Sequence, residues 1–190
     1  MDRHDFDSIE KVASQDNVVM QFITFTVHDQ EYAIEITTIR EIKGWSNTTS
    51  LPNTPAYMRG VINLRGAVVP ILDLRCRFGL GLTQASTTNV VMMVRVAGRV
   101  MGILADAVSD IINVSSDEIR PIPSIDLTDG NNTVLQGIVN TENRMVAILS
   151  LDRVFDHTID ILDGHIPEGV LKNNAEDGVK QNDNASDVTQ

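Results

Sequence analysis

The sequence predicts a mostly β protein built from two related units of about five short strands that share one hydrophobic core, with short helical turns and a closing helix. Three observations carry this prediction. Hydrophobic residues make up 42% of the chain but aromatics only 4%. The core must therefore come from Val, Ile, Leu and Met, and β-branched side chains favour extended backbone. Short apolar segments alternate with turn-forming residues across residues 18–163, without a long run of helical periodicity. The two halves also repeat each other. Gly60-Val61-Ile62-Asn63 matches Gly137-Ile138-Val139-Asn140 at an offset of 77, and the same offset pairs Val69 with Val146, Ile71 with Ile148, Leu72 with Leu149, Leu74 with Leu151 and Phe78 with Phe155, without a gap. Ile34–Ile42 matches Ile103–Ile111 at an offset of 69, pairing Ile39 with Val108 and Glu41 with Asp110. The difference of 8 is an insertion within Ser115–Thr133. Five short strands are enough to close a small barrel and remove its exposed edges. Each unit is marginal alone at this size, and two can share a core.

The elements follow in order. Val19–Val27 alternates as a strand, with Phe22, Thr24 and Thr26 on one face and Ile23, Phe25 and Val27 on the other. His28-Asp29-Gln30 is a polar turn, and Glu31–Ile36 returns as the second strand of a hairpin. Ile36, Ile39 and Ile42 recur every third residue, which predicts one or two helical turns over Thr37–Ile42. Ser46–Pro55 is loop. Gly60–Asn63 and Ala67–Leu74 are strands joined at Leu64-Arg65-Gly66. Pro70 has no amide to donate, so the second of these is expected at an edge or a bulge. Asp73–Phe78 reads as a short helix stopped by Gly79 and Gly81. Asn89–Val96 and Val100–Ala105 form a hairpin around Ala97-Gly98-Arg99, and Asp106–Ile112 is short and mixed. Ser115–Thr133 is a long polar loop, Val134–Asn140 and Arg144–Leu151 are the last strand pair, and Asp152–Leu162 is the closing helix. The expected organisation is an N-terminal arm over 1–17, a body over 18–163 and an acidic tail over 164–190. Within the body, barrel one spans about 18–85, barrel two about 88–151 and the helix about 152–162.

The net charge of -11 disfavours partners that carry phosphate backbones or anionic lipid surfaces. Each end carries five acids against two bases: Asp2, Asp5, Asp7, Glu10 and Asp16 against Arg3 and Lys11, and Glu168, Glu176, Asp177, Asp183 and Asp187 against Lys172 and Lys180. From Gly169 onward large apolar residues are few, so burial cannot offset the entropy of ordering. The single cysteine, Cys76, fits a reducing compartment. The absence of a membrane-length apolar run and of a signal-peptide pattern points the same way, to a cytoplasmic protein.

The chemistry is sparse. His4, His28, His157 and His165 lack metal-ligand spacing, so no metal and no cofactor is expected. There is no serine nucleophile motif and no phosphate cradle. Asp152, Asp156 and Asp160 recur at helical spacing, as a solvated helix face does. Cys76 lies between Arg75 and Arg77, a setting that lowers a thiol's pKa, unless the thiol is half-buried and structural. Two charges remain. Arg65 sits at a hairpin tip, and its planar cation suits a carboxylate. Glu41 lies in an amphipathic turn beside Ile39 and Ile42. An opposite-charge pair flanked by aliphatics on a β scaffold suits a protein partner.

These residues belong to segments that resemble the CheW-like coupling proteins of bacterial chemotaxis: Ile39-Arg40-Glu41-Ile42-Lys43-Gly44, then Pro52 to Gly66 with its Asn63-Leu64-Arg65-Gly66 turn, then Val68-Val69-Pro70-Ile71-Leu72-Asp73-Leu74-Arg75, and Gly102 to Asp110 with Ile119-Arg120-Pro121. The resemblance runs from about Val19 to Phe155. It implies two five-stranded SH3-like β-barrels and no catalytic activity, so not an enzyme. It also implies a scaffold that bridges the cytoplasmic tip of chemoreceptors and the regulatory domain of a CheA-type histidine kinase, in receptor arrays at the inner membrane. By resemblance the receptor groove holds Ile39, Glu41, Arg65 and Val90, with Arg59 and Gly60 near the hairpin base, and the kinase or ring contact holds Arg120 and Ile125. Two other readings stand beside it: a β-barrel that senses a small molecule in a deep apolar pocket, and an enzyme that uses Cys76.

Overall fold

In β1 (Val19–Val27) the alternation read from the sequence sorts side chains onto two faces. Ile23, Phe25 and Val27 enter one core cluster and Phe22 another. The computed structural model describes residues 18–122, 134–141 and 144–162. The expected N-terminal arm, acidic tail and most of the Ser115–Thr133 loop lie outside these described residues.

β1 turns at His28-Asp29 into β2 (Gln30–Glu35). The expected helical turns at Thr37–Ile42 are not what forms. A single 3-10 turn covers Ile36–Thr38, and Ile39–Gly44 is strand β3. Along β3, Ile39, Glu41 and Lys43 are half-buried while Arg40, Ile42 and Gly44 are exposed. The threefold recurrence of isoleucine is overridden by an antiparallel ladder to β6 (Val90–Val96). The segment read as short and mixed after Ala105 is likewise a strand, β8 (Ala107–Ser115).

The remaining elements are β4 (Met58–Leu64), β5 (Ala67–Asp73), α1 (Leu74–Arg77), β7 (Arg99–Ala105), β9 (Leu135–Thr141), β10 (Arg144–Leu149) and α2 (Leu151–Leu162). The loops Arg65-Gly66 and Ala97-Gly98 have positive φ at both positions, 52° and 90°, and 48° and 78°. Two-residue hairpin loops need this to match strand twist, and glycine supplies the second position without strain. Asn63 Oδ1 accepts from Gly66 N at 2.8 Å and ties the first loop. β5 is an interior strand and its register is regular at Pro70, although Pro70 predicted an edge or a bulge. Its ladder to β7 begins only at Ile71, so at Pro70 the strand bonds β4 alone and the missing amide costs nothing.

Two five-stranded sheets result, in the orders β8-β1-β2-β10-β9 and β3-β6-β7-β5-β4. The expected division into barrels near residues 85–88 is therefore corrected. The repeat maps β1 through β5 onto β6 through β10, yet each sheet takes its first hairpin from the opposite half. Under that mapping the two sheets have the same order. The register agrees: Ile148 pairs with Ala33 across the parallel β10–β2 contact as Ile71 pairs with Gly102 across β5–β7. β9–β10 skips one residue between Leu135 and Gly137, and β4–β5 skips one between Met58 and Gly60. These matched bulges place the duplication in three dimensions.

Each sheet curls around its own small cluster, Ile62, Val69, Ile71, Val91, Met93 and Leu104 in one and Phe22, Ala33, Val114, Val139, Val146 and Ile148 in the other. The larger shared core lies between the sheets and includes Phe25, Ile34, Leu72, Met92, Ile103 and Phe155. Single bridges link the sheet edges, Thr49 to Val61 and Arg120 to Ile138. Gly60, at φ +119°, and Gly137 make room for these crossings. A Cβ on Gly60 would overlap the Thr49 carbonyl, and one on Gly137 would lie 2.6 Å from Ile119 Cγ2 and 2.9 Å from Arg120 O. The glycine shared by the two repeats thus has a steric cause.

Candidate functional site

Of the six residues expected at the receptor groove, Glu41 and Arg65 are in contact. The Arg65 guanidinium donates through Nη2 to Glu41 Oε2 at 3.3 Å. The Arg65 side chain is 83% exposed and that of Glu41 35%. An ion pair this open is worth roughly 0–1 kcal/mol, so a partner's carboxylate can replace Glu41 at little cost. The turn explains the presentation: with Arg65 at positive φ and Asn63 holding Gly66, the arginine stands off the sheet.

Ile39 and Val90 are half-buried and pack against the shared core. Both belong to the β3–β6 ladder, but Ile39 pairs with Val94 while Val90 pairs with Gly44, so they lie at opposite ends of it. The aliphatic surface is a strip along β3 and β6 and not a single patch.

Arg59 and Gly60 are engaged by the fold. Gly60 is buried beneath Thr49. The Arg59 guanidinium lies 3.5 Å from Asp73 Oδ2, donates to Thr83 O at 3.2 Å and stacks over Trp45 at 5.4 Å. Asp73 is fully buried and accepts from Thr83 N at 2.9 Å, Thr83 Oγ1 at 2.7 Å and Cys76 N at 3.2 Å, the last capping α1. This network anchors the base of the β4–β5 hairpin that carries Arg65. Sequence reasoning missed Asp73, Thr83 and Trp45 as parts of it. The signal available was Asp73 immediately before a short helix, a helix-capping position.

Arg120 is exposed, and its backbone forms both hydrogen bonds of the bridge to Ile138, each at 2.9 Å. Ile125 lies outside the described residues. A second charge pair includes the repeat counterpart of Glu41: Arg144 Nη2 lies 3.9 Å from Asp110 Oδ2, and Nη1 donates to Glu31 Oε1 at 2.7 Å, although Arg144 itself matches Ala67 and not Arg65. The match of Glu41 with Asp110 pointed to this place.

Cys76 is half-buried. Burial, then the Asp73 carboxylate, push its thiol pKa up, against a smaller opposing pull from Arg59. Of the two readings open for Cys76, the structure has the half-buried thiol and not the lowering that Arg75 and Arg77 could supply, because burial dominates. Burial also raises the Tyr57 hydroxyl, although the nearby Arg77 pulls it down. Among the described residues, no group of three or more His, Cys, Asp and Glu is placed to hold a metal ion. None of their helices is long and apolar enough to cross a membrane.

A family model described as the CheW-like domain matches residues 21–158. The chain is 43% identical over 135 residues to the chemotaxis protein CheW of Rhizobium meliloti, covering 71% of this chain and 86% of that one. It is 33% identical over 147 residues to the chemotaxis protein CheW of Klebsiella aerogenes, covering 77% and 87%. Its fold is similar to the crystal structure of the scaffolding protein TtCheW from Thermoanaerobacter tengcongensis, with a TM-score of 0.66 at 28% identity over 73% of this chain and 94% of that one.

Proposed function

Because the chain belongs to the CheW-like domain family, we propose that it is a non-catalytic adaptor of bacterial chemotaxis that couples chemoreceptors to a CheA-type histidine kinase. The observation that carries the site is the Arg65 guanidinium, held off the sheet by a two-residue turn and paired, among the described residues, with the replaceable carboxylate of Glu41. An amphipathic receptor helix lays its apolar side along Ile39 and Val90 and offers an acid to Arg65. Arg59 and Gly60 act beneath this surface as supports. Each five-stranded sheet, with its edges linked by one bridge, corresponds to an SH3-like barrel of the family. Arg120 and Ile125 belong to the contact with the kinase regulatory domain, and the protein works in the cytoplasm at receptor arrays.

The test is co-purification of the full chain with a receptor cytoplasmic tip and a kinase regulatory domain. Arg65→Glu is expected to weaken receptor capture at least about tenfold, or about 1.4 kcal/mol, and to leave kinase capture intact. Unchanged receptor capture by a folded Arg65→Glu protein rejects the assigned contact.

A further inference from the structure

The internal repeat leaves one place open in its second half. In the first half, Arg59 on β4 crosses to Asp73 at the end of β5, and its guanidinium is held by that carboxylate and by Thr83 O. The offset of 77 puts Gln136 on β9 where Arg59 stands on β4, and Ser150 where Asp73 stands. Both replacements are shorter. A cleft of about 230 Å³ opens there beside the start of α2, with Glu35, Thr38, Arg95, Gln136, Ser150 and Asp152 around it. A single water needs only about 10–15 Å³ of such space. Leu149 and Leu151, both nearly buried, give the cleft an apolar side.

The charges of the lining select the occupant. Glu35 on β2 and Asp152 on α2 bring two carboxylates, and Arg95 on β6 brings one guanidinium. Arg95 is exposed and, among the described residues, makes no hydrogen bond and no ion pair. The Glu35 carboxylate accepts from the neutral hydroxyl of Thr37 at 2.6 Å, which does not offset its charge. An ion of a single sign meets a like charge in this cleft. A molecule with one carboxylate and two cationic groups meets an opposite charge at each of the three positions. The counterpart place in the first half accommodates an arginine side chain, held by a carboxylate and a carbonyl. We propose that the cleft binds a free basic amino acid of the arginine type. Its α-carboxylate pairs with Arg95, and its ammonium and guanidinium pair with Glu35 and Asp152. Its methylenes lie along Leu149 and Leu151, and Gln136 and Ser150 supply neutral hydrogen bonds. Thr38 immediately precedes Ile39, so the occupant sits at the start of β3. Any effect on receptor capture rests on the adaptor reading, whereas the binding itself does not.

Titration of the full chain with L-arginine, followed by the chemical shifts of its amides, tests this. Saturable shifts are expected at Glu35, Thr38, Arg95, Gln136 and Ser150, and not on the Arg65 hairpin. L-Citrulline, which lacks the side-chain charge, and agmatine, which lacks the carboxylate, are each expected to bind about tenfold more weakly. Arg95→Gln is expected to weaken L-arginine about tenfold and to leave agmatine within about twofold. Gln136→Arg puts back the side chain of the first half and is expected to fill the cleft and abolish binding. Glu35→Gln, at an exposed strand end, is expected to weaken L-arginine about tenfold and gives the reading if the Gln136 variant fails to fold. The absence of any saturable shift in the unmutated chain overturns the proposal. Agmatine binding as tightly as L-arginine, with no effect of Arg95→Gln, also overturns it and assigns the cleft to an arginine side chain of a protein. Binding that survives both Gln136→Arg and Glu35→Gln places the ligand elsewhere and overturns it as well.

Discussion

Arg65 reaches Glu41 across 3.3 Å although β4, which leads into the Arg65 turn, and β3, which carries Glu41, are the opposite edges of one sheet. The contact is possible only because the sheet curls until its edges approach, as the Thr49–Val61 bridge also records. The pair is therefore both a seam and a display. Its open position sets its energetic weight. Arg65→Ala is expected to shift the urea midpoint by no more than about 1 kcal/mol of stability. A larger loss would mean that the pair carries the seam and is not free to exchange partners.

The buried partner of the same hairpin should behave oppositely. Asp73 is fully buried against Arg59 and Thr83. Asp73→Ala leaves that cation and the Thr83 donors unmatched and is expected to cost about 3 kcal/mol or more by denaturant unfolding. Thr83→Val is expected to cost about 1 kcal/mol, one hydrogen bond's worth with shape retained. Equal costs for the two would show that the charge is not the centre of the network.

Glycine substitutions separate the crossing points from ordinary strand positions. Gly60→Ala adds a Cβ into the Thr49 carbonyl at φ +119° and is expected to cost at least about 2 kcal/mol. Gly137→Ala should cost less, because part of its clash is with the movable Ile119 side chain. Gly44→Ala meets nothing within 4 Å and is expected to stay within about 0.5 kcal/mol of the parent. Thermal midpoints of the three variants test the ranking.

The raised thiol of Cys76 gives a pH prediction. The folded state holds this proton more tightly than the unfolded chain does. Its contribution to stability is therefore present below the ordinary thiol value of 9.0 and is lost as pH rises through the folded value. Tyr32 and Tyr57, raised by burial above their ordinary 10.0, act in the same direction at higher pH. Stability is expected to fall as pH climbs past 9, and iodoacetamide should label Cys76 more slowly in the native protein than in urea at the same pH. Labelling at equal rates would contradict the burial effect.

Strands with clean alternation or a glycine-marked turn, β1 and the β4–β5 and β6–β7 hairpins, could be read from sequence because their pattern is local. β3 and β8 could not. They are repeat counterparts and edge strands, and polar residues such as Arg40, Lys43, Ser109 and Asp110 interrupt their pattern, so their ladders decide their state. Arg65 was legible from its turn, and its affinity for a carboxylate from its chemistry. The network of Arg59, Asp73, Thr83 and Trp45 was not, because residues up to 38 positions apart meet only after the sheet has curled.

The hairpin exchange has a consequence for synthesis and ancestry. The sheet that begins at Val19 takes its last strand at Arg144–Leu149, so in a chain emerging from its N-terminus β1 lacks its outer partner until β8 (Ala107–Ser115) is made, and β2 lacks its own until nearly all of the body has been made. A half-length chain ending near residue 85 would own two strands of one sheet and three of the other and could finish neither. Two copies of such a half would finish both by trading hairpins. The present chain thus has the geometry of an intertwined homodimer fused into one polypeptide.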